Sequence, residues 1–178
     1  PHKDPFLFLE SVTVEGDEVR GDYMITGNEY FLEGHFKEQP IFPASIMIEA
    51  LGQLCVFYLL KGEHVGLTEK VDPKTIFFTS CDGVKCRRIC QPGDKLSMKV
   101  KVSRVRHPLA CFSGEINVGG EKTATAQEIK LAFDYFPIID GQGKPSGESL
   151  GHVHSNGNKP SENDKSPNAS PRFVKFNG

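Results

Sequence analysis

The sequence predicts an α+β domain in which an antiparallel sheet wraps around one long buried helix. Three observations carry this. Ser45 to Leu60 is strongly apolar over a helical length. A helix greasy on nearly all sides must be covered on most of them. After it come four strand-like segments joined by short turns, and only antiparallel neighbours can be joined so tightly. Before it, Glu18 to Ile25 alternates at strand period.

Taken in order, the first strand places Val19, Gly21, Tyr23 and Ile25 on one face and Arg20, Asp22 and Met24 on the other. Pro43 suits the approach to the helix, Ser45 is its expected cap, and Lys61-Gly62 its expected end. Thr75 to Cys81 is β-branched and aromatic, hence a strand. Gln91-Pro92-Gly93-Asp94 is a turn. Lys95 to Val105 then alternates, with Leu96, Met98, Val100 and Val102 inward. Ala110 to Val118 follows, and Gly119-Gly120 signals a two-residue hairpin. Lys122 to Phe136 is read as a last, long strand. One sheet hardly covers so apolar a helix, so a partner subunit extending the sheet is expected.

Composition narrows the class. Net charge is −2, without the basic excess of a nucleic-acid binder. The five cysteines contain no C-x-x-C pair, which argues against a disulfide framework and for a reducing, cytoplasmic setting. Cys81, Cys86 and Cys90 lack the companion ligands of a zinc site, so no metal is expected. The N-terminus lacks the basic-then-apolar order of a leader. The chain opens on Pro1 rather than Met, and the expectation is a processed product or an excised piece. The run Ile46–Leu60, broken by Glu49, Gly52 and Gln53, reads as too short and too polar to span a bilayer.

From Pro137 the composition shifts. Gly, Pro, Ser and Asn supply 22 of the last 42 residues, too polar a mixture to bury a core. The domain proper is placed at residues 1–136 and an extension at 137–178. The closing patch Arg172 to Phe176 is expected to dock on a surface.

The helix is informative for what interrupts it. Ser45, Glu49 and Gln53 recur every fourth residue and form one polar stripe. A carboxylate on a buried helix costs several kcal/mol, as a rough figure, if unpaired. Glu49 is therefore either a satisfied structural group or a carboxyl suited to acid–base work. His35 presents the same choice, between a turn histidine and a base. The proline-stiffened link from His35 through Pro40 and Pro43 into the helix can hold the two groups at a set separation.

Gly34-His35-Phe36, Pro40-Ile41-Phe42-Pro43 and Ile46-Met47-Ile48-Glu49-Ala50-Leu51-Gly52-Gln53 together resemble the signature of FabZ-type 3-hydroxyacyl-(acyl carrier protein) dehydratases. The opening Pro1-His2-Lys3-Asp4-Pro5-Phe6-Leu7 is similar to that family's P-H-R-Y-P-F-L. Lys85-Cys86-Arg87-Arg88 with Gln91-Pro92-Gly93-Asp94 resembles a further family segment. Glu rather than Asp on the helix favours the FabZ over the FabA branch.

The resemblance implies the hotdog fold, working as homodimers or trimers of dimers, with active sites at the dimer interface. His35 would be the base and Glu49 the acid, one from each subunit. Backbone N–H groups near Ala44 and Ser45 would hold the thioester oxygen, and Gln53 would orient the carboxyl or bind the leaving water. Lys85, Arg87 and Arg88 would meet the phosphopantetheine of an acyl carrier protein, or coenzyme A, unless they are simply a solvated face. No cofactor is implied. Lys37-Glu38-Gln39 and Ala44 depart from the family pattern, which has Pro-Gly-x and Gly there. The departures point to a specialised pathway, such as polyketide or secondary lipid synthesis. They also keep open a non-catalytic acyl-carrier-binding subunit. A hotdog thioesterase is the other alternative, though the retained His35 argues against it.

Overall fold

The computed structural model describes residues 2–61, 63–64 and 66–137. The expected helix end at Gly62 and the 137–178 extension past its first residue lie outside them. Seven strands form one antiparallel sheet: β1 (Ser11–Glu15), β2 (Glu18–Met24), β3 (Phe77–Asp82), β4 (Lys85–Cys86), β5 (Lys95–Arg106), β6 (Leu109–Val118) and β7 (Glu121–Ala132). Their spatial order is β1-β2-β5-β6-β7-β3, with β4 also pairing β7. The helix α1 (Ala44–Lys61) lies against β2, β5, β6 and β7. This is the expected hotdog arrangement.

The helix forms the core because its sequence leaves no other place for it. Met47, Ala50, Leu51, Leu54, Cys55 and Leu59 are all buried, together with inward residues Leu96, Met98, Val100 and Val102 of β5. Burying a side chain such as Leu contributes roughly 1.5–3 kcal/mol. The sheet makes room for these leucines at glycines. A Cβ on Gly21 of β2 would sit 2.8 Å from Leu54 and 2.9 Å from the Ser11 carbonyl. Gly114 on β6 stands in the same relation to Leu51.

By length and mean hydropathy, 1.4, α1 does pass for a membrane span, so its polar interruptions did not settle that question. Its position does: more than half of it is buried inside the domain, and it is the core helix.

The structure corrects several element boundaries. The hairpin β1–β2 adds a strand that was not expected, turning at Gly16 and Asp17. The two-residue β4 was likewise not expected. Helix α1 begins at Ala44, and the Pro43 carbonyl accepts the N–H groups of Ile46 and Met47. Ser45 therefore lies inside the first turn and is not the cap. β3 starts only at Phe77, because the Thr75 hydroxyl is spent on the Asp72 carbonyl. β7 stops at Ala132 rather than Phe136: the Asp134 N–H turns to Thr75 Oγ1 and Tyr135 bridges Val71. Gly119 and Gly120 take φ of 59° and 85°, as the expected hairpin turn requires.

Gly21→Ala drives a methyl into rigid backbone and is expected to lower stability by about 1–3 kcal/mol. Urea unfolding of the variant beside the wild-type chain measures this, and an unchanged midpoint would refute the close approach of helix and sheet.

Candidate active site

The chain enters the site through an anchored loop. Glu29 accepts hydrogen bonds from the N–H groups of Thr26 and Gly27, both at 2.8 Å, and from the Tyr23 hydroxyl at 3.0 Å. Burial works to raise its pKa, but these donors outweigh it and hold Glu29 below the usual carboxylate range. Burial and the Glu29 charge push Tyr23 far up in turn. A short 3-10 helix, Tyr30–Glu33, follows and delivers Gly34 and His35.

His35 is clamped twice to Ile41. Its carbonyl accepts the Ile41 N–H at 2.8 Å, and its Nδ1 lies 2.8 Å from the Ile41 carbonyl. A carbonyl oxygen can only accept, so Nδ1 is the donor there, and in the neutral ring the lone pair falls to Nε2. Phe36 stacks on the ring at 4.2 Å. The Phe42 N–H bonds the Cys90 carbonyl, tying the loop to the segment before β5. Lys37, Glu38 and Gln39 form an exposed tip between mutual Phe36–Gln39 backbone bonds.

A groove of about 430 Å³ is lined by His35, Ile41, Phe42, Ala44, Met47 and residues 86–89. The first turn of α1 opens at it, and the N–H groups of Ala44 and Ser45 come before the helical hydrogen bonds begin at Ile46 and Met47. These donors and the helix dipole favour a negative oxygen there. The Ala44 methyl lines the groove, whereas the Lys37–Gln39 tip does not. A larger hollow of about 510 Å³ lies over paired strand charges such as Lys99 and Glu115, and holds none of the expected site residues.

Glu49 and Gln53 do not line the groove. Gln53 is buried and fully engaged. Its carbonyl accepts the Phe8 N–H at 2.9 Å, and its amide donates to the Phe6 carbonyl and Glu49 Oε1, both at 3.0 Å. It thus contacts the Glu49 carboxyl one turn before it and also fastens the N-terminal arm to the helix. Glu49 is not sealed in an apolar cavity within one protomer: its side chain is 29% exposed and its Oε1 lies 3.3 Å from His2 Nε2. Sequence reasoning passed over His2 as a site residue, since no spacing rule links position 2 to a helix more than forty residues on.

The basic trio separates. Arg88 pairs with Asp94 at 2.9 Å in the turn before β5 and lines the groove. Arg87 also lines it and donates to the Thr125 hydroxyl, while Lys85 is exposed on β4. The cysteines diverge as well: Cys86 is exposed, and Cys90 is buried with its sulfur 3.9 Å from that of Met47. Burial, with Asp94 adding to it, pushes the Cys90 thiol up to about 11. Among the described residues no group of three or more His, Cys, Asp or Glu could hold a metal ion. His64 and His107 cap turns, His64 accepting the Gly66 N–H and His107 facing Asp134 at 3.0 Å.

The FabA-like domain model matches residues 1–127. The 3-hydroxyacyl-(acyl-carrier-protein) dehydratase FabZ of Bacillus velezensis is 34% identical over 130 residues, covering 71% of this chain and 87% of its own length. Among solved structures, the dehydratase heterocomplex ApeI:P from Xenorhabdus doucetiae superposes with a TM-score of 0.59 at 15% identity, over 75% of this chain and 86% of that one. The fluoroacetyl-CoA thioesterase FlK does so with 0.53 at 14%, over 69% and 89%. At such identities these two speak for the fold alone.

Glu29 stabilises the loop leading to His35. Because its folded value is lowered, that contribution is present above the ordinary Glu range and fades as pH falls through the folded value. The stability gap between wild type and Glu29→Gln is expected to be widest near neutrality and to close in acid. Denaturant midpoints across pH measure it, and a gap that ignores pH would refute the carboxylate's role.

Proposed function

The chain belongs to the FabA-like domain family, and from that premise we propose that it dehydrates a 3-hydroxyacyl thioester to a trans-2-enoyl thioester in fatty-acid or polyketide-type synthesis. The observation that carries this reading is the 2.8 Å contact of His35 Nδ1 with the Ile41 carbonyl. In the neutral ring it leaves Nε2 as the base, in a groove that also receives the first turn of α1.

The chemistry follows from the groups present. Removing a weakly acidic α-proton needs a base and stabilisation of the oxyanion that develops. His35 Nε2 takes the proton, and the electron pair flows toward the thioester oxygen, which the free N–H groups at Ala44 and Ser45 meet. The enolate then collapses to the 2,3 double bond. The 3-hydroxyl departs with the proton of Glu49 as water. The α-proton left on His35 returns to Glu49, directly or through water, and resets the site. Acid–base groups suffice for this, so no cofactor is called for.

The acid and the base do not share the groove within one protomer, which supports a site completed by a second copy, in a homodimer or trimer of dimers. Exposed Phe57, Phe77, Phe78 and Val84 supply apolar surface for such a contact. Lys85 and Arg87, with Arg88 braced by Asp94, suit the phosphate of a carrier-bound or coenzyme A thioester. A cytoplasmic setting fits these substrates.

Enoyl thioester absorbance tests the reading. His35→Ala and Glu49→Gln are each expected to lower kcat about 10²- to 10⁴-fold. Refolding the two inactive variants together is expected to restore about a quarter of wild-type activity. Half of the random dimers are then mixed, and each mixed dimer holds one intact site. Recovery of none places both groups in one subunit. Release of free thiol would mean a thioesterase, and absence of turnover in a folded chain would mean a non-catalytic carrier-binding subunit.

A further inference from the structure

The N-terminal arm does more than cover the helix. The Phe6 N–H donates to the Lys3 carbonyl, and this turn folds His2 back over α1. The arm is fastened there by Gln53, which bonds the backbone of Phe6 and of Phe8. His2 Nε2 is thereby placed 3.3 Å from Glu49 Oε1. The Gln53 amide donates to the same oxygen. Two groups carried by different elements thus converge on Oε1 of Glu49, and neither engages Oε2.

We propose that His2 is a positioning residue for Glu49, holding the carboxyl through Oε1 so that Oε2 is the oxygen that serves the substrate. The inference rests on the dehydratase reading. A single donor leaves the carboxyl free to swing about the bond to that donor; the His2 ring packed at the same oxygen from the arm side restricts that freedom. Both side chains are about a third exposed, 32% and 29%. A pair that open to water contributes little to stability, so its effect falls on the orientation of the acid. When the C–O bond breaks, Glu49 gives up its proton from Oε2 and becomes a carboxylate. The His2 ring, 3.3 Å from Oε1, then lies beside the new charge. Gln53 already gives Oε1 the one amide hydrogen it can spare, since the other is held by the Phe6 carbonyl.

Steady-state kinetics on the full 178-residue chain test this. His2→Ala is expected to lower kcat about 10- to 100-fold, the worth of one hydrogen bond to a charged group, with KM within about twofold. His2→Gln, which keeps an N–H donor, is expected to recover most of the loss. In a Glu49→Gln background His2→Ala is expected to add nothing, since it acts through the acid. An unchanged kcat in His2→Ala overturns the proposal. So does a loss that persists in the Glu49→Gln background, or one shared equally by both His2 variants alongside a fall in thermal midpoint. A wild-type chain that forms no enoyl thioester overturns the dehydratase reading itself, and the wild-type control tells the two failures apart.

Discussion

A helix apolar on nearly every face, carrying one polar stripe, is the constraint from which the rest of this structure follows. Covering α1 requires a sheet that curls, which sets the order of the strands and places glycines where the helix comes closest. The stripe cannot be covered in the same way. Gln53, buried at 2% exposure, must have partners for its amide, and a buried polar group left unpaired costs about 1–3 kcal/mol. The N-terminal arm supplies them, so one side chain both satisfies the core and determines where the arm runs.

The site inherits its order from these structural demands. His35 is held through Nδ1 by the Ile41 carbonyl, a bond that closes the loop and fixes how the ring faces the groove. The N–H groups at the start of α1 are unpaired because every helix begins that way. Here that beginning opens onto the groove that His35 lines. Arg88, read as one of three loose cations, is half occupied with bracing the turn before β5 through Asp94. Stability and chemistry are therefore not separable at these residues.

The departures from the family pattern differ in weight once they are placed. Lys37, Glu38 and Gln39 form a tip in water, away from the groove. Ala44 lines the groove at the helix start, so it is the departure positioned to alter how a thioester is held.

Much was legible in the sequence because it rests on local periodicity. The inward face of β5, the length of α1 and the glycine pair between β6 and β7 need only neighbours along the chain to be read. The His35 and Glu49 positions were legible through a motif whose spacing is local too. The edge strand β1 was passed over because its face is only half buried, and β7 ran on in the reading because apolar residues continue past the point where Thr75 takes the next N–H. What only the tertiary structure decided is long-range. It showed that Gln53 spends its amide on an arm some 45 residues away, that His2 reaches Glu49, and that within one protomer His35 lines a groove that Glu49 does not. Periodicity records how a residue relates to its own element. A hydrogen bond between distant segments leaves no period behind, and it appears only when burial has brought the two together.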